Sequence, residues 1–148
     1  MSIIDELTSA LGPAKVAVDA PTLAAYAVDQ APVLDYQLPQ AVVRAESIED
    51  VQATVRACAA GGVPLVARGA GTGVSGGAHA SKGCVVLSLE RMNRILDLNA
   101  DDETAVVEPG VINADLNAAA AVHGLMYAPD PASFKQSTIG GNVATNAG

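Results

Sequence analysis

Val63-Pro64-Leu65-Val66-Ala67-Arg68-Gly69-Ala70-Gly71-Thr72-Gly73-Val74-Ser75-Gly76-Gly77 is the stretch that decides the fold. An apolar, strand-type run opens into a loop in which five of the nine residues from Gly69 to Gly77 are glycine. Upstream, Ala41-Val42-Val43-Arg44 reads as a strand. Ser47 then precedes Ile48, Val51, Val55 and Ala59 at helical spacing, and Gly61-Gly62 ends that helix. Ser47-Ile48-Glu49-Asp50 resembles a capping box with Asp in place of Glu. Strand, helix and strand in this order make a βαβ unit with parallel strands. Downstream, Cys84 to Leu89 is a buried-type strand. Arg94 to Leu98 and Thr104 to Val107 flank the turn Asn99-Ala100-Asp101-Asp102. Asn113 is placed to cap a helix carrying Leu116, Ala119, Ala120 and His123 and closed by Gly124. Toward the N-terminus, Ser2 caps a helix over 2–11 with Ile3, Ile4, Leu7 and Leu11 on one face. Lys15 to Val18 is a short strand, Pro21 to Val28 a second helix, and 29–40 a linker. The class is α/β (α+β), a βαβ unit followed by glycine-rich loops.

The glycine loop suits an anion. Glycines accept positive φ and leave room for successive backbone N–H groups to converge on a phosphate, with Thr72 and Ser75 adding hydroxyls. Gly71-x-Gly73-x-x-Gly76 fits the dinucleotide fingerprint of a Rossmann fold. That fingerprint needs a helix directly behind it. Here Gly77-Ala78-His79-Ala80-Ser81-Lys82-Gly83 is too short and a strand follows, so a Rossmann site is rejected. Residues 128–148 read as a second loop of small residues, hydroxyls and amides.

The 148 residues are half apolar, which excludes a disordered chain. A net charge of −8 argues against nucleic acid or an anionic membrane as partner. No apolar run approaches the ~20 residues of a membrane helix. Met1-Ser2-Ile3-Ile4-Asp5-Glu6 lacks the basic start of a signal peptide. Cys58 and Cys84 give neither a disulfide framework nor a metal spacing. The expectation is a cytoplasmic protein without a metal, with any membrane association through partner subunits.

Taken in tandem, Pro64-Leu65-Val66-Ala67-Arg68-Gly69-Ala70-Gly71-Thr72-Gly73 and Ser137-Thr138-Ile139-Gly140-Gly141-Asn142-Val143-Ala144-Thr145-Asn146-Ala147-Gly148 resemble the flavin domain of the vanillyl-alcohol oxidase and p-cresol methylhydroxylase superfamily. Tyr26-Ala27-Val28-Asp29, Pro39-Gln40-Ala41-Val42-Val43 and Val107-Glu108-Pro109-Gly110-Val111 match its glycolate oxidase flavin subunit and D-lactate dehydrogenase branch. The resemblance implies a PCMH-type FAD-binding domain over 39–148, preceded by an N-terminal helical extension over 1–38. It implies FAD as cofactor, with Gly69, Ala70, Gly71, Thr72, Gly73 and Ser75 at the pyrophosphate. Pro109 and Gly110 would border the adenosine end. Ser133, Ser137, Thr138, Ile139, Gly140, Gly141, Asn142 and Thr145 would line the pyrophosphate and the flavin ring. Members with covalent flavin on the first loop carry a His where Thr72 stands, so the implied attachment is non-covalent.

The implied activity is oxidation of a small D-2-hydroxy acid of the glycolate or D-lactate type by hydride transfer to flavin, with an unknown electron acceptor and possible partner subunits. Two alternatives stay open: a non-catalytic FAD-binding subunit of a multi-subunit oxidase, and a sugar or aldonolactone oxidase of the same superfamily. Because the sequence stops inside the second motif, the expectation is an N-terminal fragment, inactive alone, with the cap domain and catalytic base beyond residue 148. No catalytic residue is assigned. His79 and His123 are read as non-catalytic, Cys58 and Cys84 as core residues. Arg68 either steadies a phosphate or pairs with an acid.

Overall fold

The computed structural model describes residues 2–32 and 36–147. Its elements in chain order are α1 (Ile3–Leu11), β1 (Val16–Ala17), α2 (Ala20–Ala25), β2 (Ala41–Arg44), α3 (Ile48–Ala60), β3 (Leu65–Arg68), β4 (Val85–Ser88), β5 (Ile95–Asn99), β6 (Thr104–Val107), α4 (Asn113–Ala121) and α5 (Ile139–Thr145). The main sheet runs β1-β2-β4-β3. β4 lies between β2 and β3 and is parallel to both, with Val85 opposite Ala41 on one side and Leu65 on the other. The two strands of the βαβ unit are therefore parallel but separated by β4, and β1 adds an antiparallel edge.

Period-two alternation gives the sheet two buried faces. Ala41, Val43, Val85 and Leu87 pack with Leu7 of α1 and with Ala57 and Cys58 of α3. Val42, Cys84 and Val86 pack on the other face with Ala27, Ala80 and partly buried Leu23 and Val66. The N-terminal segment thus contributes Leu7, Val16 and Ala27 to both layers. α1 starts on a full capping box between Ser2 and Asp5. Lys15 reaches Asp50 at 2.7 Å and ties β1 to the start of α3.

Three expectations need correction. On α3, Ile48 and Val55 are exposed, whereas Asp50, Thr54, Ala57 and Cys58 are buried. The helix turns toward Lys15, and Thr54 satisfies itself on the Asp50 carbonyl at 2.8 Å. Asn113 does not cap α4. It is the first helical residue, and its side chain is fully buried, donating to Pro129 O (2.9 Å) and to Asn142 Oδ1 (3.0 Å). Residues 139–145, read as loop, form the short helix α5 with Thr138 as its N-cap. Of the linker read over 29–40, residues 33–35 lie outside the described residues, as do Met1 and Gly148.

β5 and β6 form a separate antiparallel hairpin. Ile95 and Val107 of that hairpin pack with Val111, Leu116, Ile139 and Tyr127 in a third cluster, beside the second motif.

Candidate functional site

The chain leaves β3 at Arg68 and enters the glycine loop without a helix, then returns as β4 beside β3. This is the geometry that excludes the Rossmann reading. Gly71 holds φ of +70°, a left-handed conformation that glycine adopts without strain. A Cβ at Gly71 would strike the guanidinium of Arg68. Among the described residues that guanidinium neither pairs with an acid nor lines the cleft described below. It donates to Val28 O at 2.7 Å and lies 5.3 Å from the centre of the Tyr26 ring. Arg44 stacks on the same ring at 5.6 Å, and the Tyr26 hydroxyl donates to Glu90 Oε2 at 2.8 Å. Arg68 is therefore a buried prop beneath Gly71.

The second motif is held by close backbone contact. Gly140 N donates to Pro109 O at 2.9 Å, and a Cβ on Gly140 would sit 2.8 Å from Pro109 Cβ. Gly110 is wedged against Leu89 O and Met92 O. Thr138 Oγ1 accepts from Gly141 N at 3.2 Å and also occupies the space a Cβ at Gly69 would need. The two motifs meet at that Gly69–Thr138 contact.

Between them opens a cleft of about 740 Å³, within the usual size of a ligand site. Gly69, Ala70, Gly71, Thr72, Gly73, Ser75, Ser133, Ser137, Thr138, Gly141, Asn142 and Thr145 line it. Pro109, Gly110, Ile139 and Gly140 do not: Ile139 and Gly140 open α5 on its far side, Gly140 against Pro109 and Ile139 in the third core cluster. Asn142 is buried and engaged at both ends, accepting from Asn113 and donating to Ser137 Oγ at 3.1 Å. Gln136, Val74, Asp29 and Gln30 also line the cleft and were not singled out as binding residues from the sequence. No local signal marks Gln136 or Val74. Tyr26-Ala27-Val28-Asp29 did match the family, with no chemistry attached.

Asp29 is the one charged residue in the lining among the described residues, and its side chain is 1% exposed. Oδ1 accepts from Ala31 N at 2.8 Å and Oδ2 from Ala78 N at 3.3 Å. His79 Nε2 lies 2.8 Å from Oδ1, outside good hydrogen-bond alignment. Neither histidine lines the cleft, nor does either cysteine. With no Lys or Arg among the described residues of the lining, attraction for an anion rests there on peptide N–H dipoles, which operate independently of the chain's net charge. The ionic contacts elsewhere are structural. Arg94 holds the Glu108 carboxyl below the usual carboxylate range through hydrogen bonds to its side chain and amide. Burial pushes the Asp50 carboxyl up, but bonds from Lys15 and the Glu46 amide outweigh it and hold it below its ordinary value.

Comparison with known proteins decides the family. The profile described as "FAD binding domain" matches residues 39–148. The chain belongs to the FAD-binding domain family. It is 46% identical over 151 residues to D-2-hydroxyglutarate dehydrogenase of Stutzerimonas stutzeri, an alignment covering 99% of this chain and 32% of that protein. It is 47% identical over 110 residues to glycolate oxidase subunit GlcD of Escherichia coli K12, covering 74% of this chain and 22% of that one. Its fold superposes on p-cresol methylhydroxylase with a TM-score of 0.83 at 26% identity, covering 95% of this chain and 28% of the other. The chain thus spans a third or less of the length of these curated relatives.

The residues present fit FAD. A backbone cradle where side chains would collide, hydroxyls from Thr72, Ser75 and Ser133, and small residues along α5 leave room for a pyrophosphate and a flat ring.

Proposed function

We propose that this cleft holds FAD without a covalent bond and that the protein containing it is an oxidoreductase acting on a small 2-hydroxy acid. Residues 39–148 are the FAD-binding module in this reading, with 1–38 an N-terminal helical extension that packs on it through Leu7, Val16 and Ala27. Gly69, Ala70, Gly71, Thr72, Gly73 and Ser75 take the pyrophosphate through backbone N–H and hydroxyl donors. Ser133, Ser137, Thr138, Gly141, Asn142 and Thr145 form the opposite wall. Pro109, Gly110, Ile139 and Gly140 fix that wall from behind. The observation that carries the reading is the meeting of the two glycine motifs across one cleft at Gly69 and Thr138.

Bound FAD would supply a two-electron acceptor for an alcohol carbon. This chain's share is binding, orientation and exclusion of water on one side. No described residue facing the cleft is a suitable base for a substrate hydroxyl, since the carboxylate of Asp29 is buried and spent on the amides of Ala31 and Ala78. Non-covalent attachment is supported by Thr72 standing where members with covalent flavin carry His, and by a lining without imidazole, thiol or phenol among the described residues. The substrate class follows from relatives named for D-2-hydroxyglutarate, glycolate and D-lactate. GlcD is named as a subunit, which supports partner subunits here too. Among the described residues no helix is long and apolar enough to cross a membrane, and a cytoplasmic setting is the reading adopted.

The test takes two samples of the flavin-loaded protein, one for acid precipitation and one, kept native, for dye reduction with D-2-hydroxyglutarate, D-lactate and glycolate. Free FAD in the supernatant and reduction with one of these acids are expected. Flavin in the pellet would overturn the non-covalent reading. Turnover of sugars or aldonolactones alone would overturn the substrate class.

A further inference from the structure

A carboxylate is an odd neighbour for a pyrophosphate, yet among the described residues Asp29 is the one charged side chain lining the cleft. Its surroundings explain it. Among the described residues, every hydrogen bond from 73–80 to the rest of the chain runs to Ala27–Ala31. Gln30 N donates to Gly73 O at 2.9 Å, Ala78 N to Asp29 Oδ2 at 3.3 Å, and Ala80 N to Ala27 O at 2.9 Å. Asp29 sits at the centre of this set. Its Oδ1 bonds the amide of Ala31 and so fixes its own strand of chain, its Oδ2 takes the far arm of the loop, and His79 lies against it. A Cβ on Gly73 would stand only 3.6 Å from Oδ2, so the carboxylate lies under the middle of the loop.

A loop of glycines has no shape of its own, because each glycine loses more backbone freedom on ordering than any other residue. If loop amides converge in only a fraction of molecules, apparent cofactor affinity falls by that fraction.

We propose that Asp29 is the positioning residue of the glycine loop: it clamps residues 73–80 onto the N-terminal arm so that the loop amides are aimed before the cofactor arrives. The inference rests on the FAD reading for its ligand but not for the clamp itself. It makes FAD affinity a property of a segment outside both glycine motifs.

The experiment compares Asp29→Asn, His79→Gln and Asp50→Asn with the wild-type full chain. The readouts are FAD titration by fluorescence quenching, thermal melting, and amide hydrogen exchange of 69–80 in the apo protein. Asp29→Asn leaves one loop or arm amide facing an NH₂ group. The loss of a charged hydrogen bond is expected to weaken FAD binding about tenfold or more and to speed exchange across 73–80. His79→Gln, which keeps a donor, is expected to lose less. Asp50→Asn is expected to lower the melting temperature without weakening FAD binding, because its contacts lie between β1 and α3. Wild-type affinity in Asp29→Asn would overturn the proposal. So would weakened binding with unchanged loop exchange, which would mean direct contact with FAD. A wild-type protein that binds no FAD would overturn the FAD reading, while the apo exchange comparison would still decide the clamp. If Asp29→Asn does not fold, His79→Ala replaces it, with faster loop exchange and weaker FAD binding expected and wild-type values counting against the clamp.

Discussion

Replacing Gly71 by alanine tests the site through its backbone. At φ of +70° a Cβ costs about 1–2 kcal/mol. The same Cβ meets the Arg68 guanidinium, which cannot step aside freely. It is buried, bonded to Val28 O at 2.7 Å and stacked on Tyr26. A bond from a charged donor contributes about 1.5–3 kcal/mol and the ring contact about 0.5–1 kcal/mol. A partial shift of Arg68 therefore adds about 1–2 kcal/mol to the φ term, for a total of about 2–4 kcal/mol. The loss should appear in apo stability as well as in FAD affinity. Gly71→Asn separates the two terms, because Asn tolerates the left-handed region but still meets Arg68. It should recover about half the loss. Gly73→Ala is the contrast. Its Cβ meets only Asp29 Oδ2 at 3.6 Å, an ordinary contact, so apo stability should hold within about 0.5 kcal/mol while FAD binding weakens. Urea unfolding of the apo protein with FAD titration by fluorescence reads both. If Gly71→Ala matches wild type in both assays, the account of the loop is wrong.

Gly140→Ala drives a Cβ into Pro109 and should destabilise by about 1–3 kcal/mol in urea unfolding, although Gly140 lies outside the cleft. Asn113→Ala strips a fully buried amide from Asn142 and Pro129 O. It should cost about 1–3 kcal/mol in the same assay; a neutral result would mean those partners find water. The carboxyls of Asp50 and Glu108 sit below their unfolded values. Their stabilisation is therefore present above the unfolded value near pH ~4 and is lost as pH falls through the folded values. The melting temperature should drop through this acid range, and less steeply in Glu108→Gln. Equal slopes would remove Glu108 from the explanation.

Much of the frame could be read from local pattern. The cap at Ser2, the apolar strand runs Ala41–Arg44 and Val85–Ser88, and the turn at Asn99 each reflect neighbours within a few residues. What escaped was set by distant partners. Asp50 is buried because Lys15, in the turn before β1, pairs with it, and this turns Ile48 outward. Asn113 looks like a cap until Pro129 and Asn142 close around it. Gly140-Gly141 disguises α5 as a loop, because its glycine is selected by contact with Pro109 and not by helix propensity. For the site, the glycine motifs announced themselves, whereas Arg68 as a prop and Asp29 as a brace depend on Tyr26–Ala31 folding back over the loop.

The central claim is that FAD lies between the glycine loop and α5. Amide hydrogen exchange of the protein with and without saturating FAD tests it most directly. The account predicts protection at 69–75 and 137–145, with the β5–β6 hairpin turn at 99–103 unchanged. Saturation by FAD without protection of both motifs would contradict it.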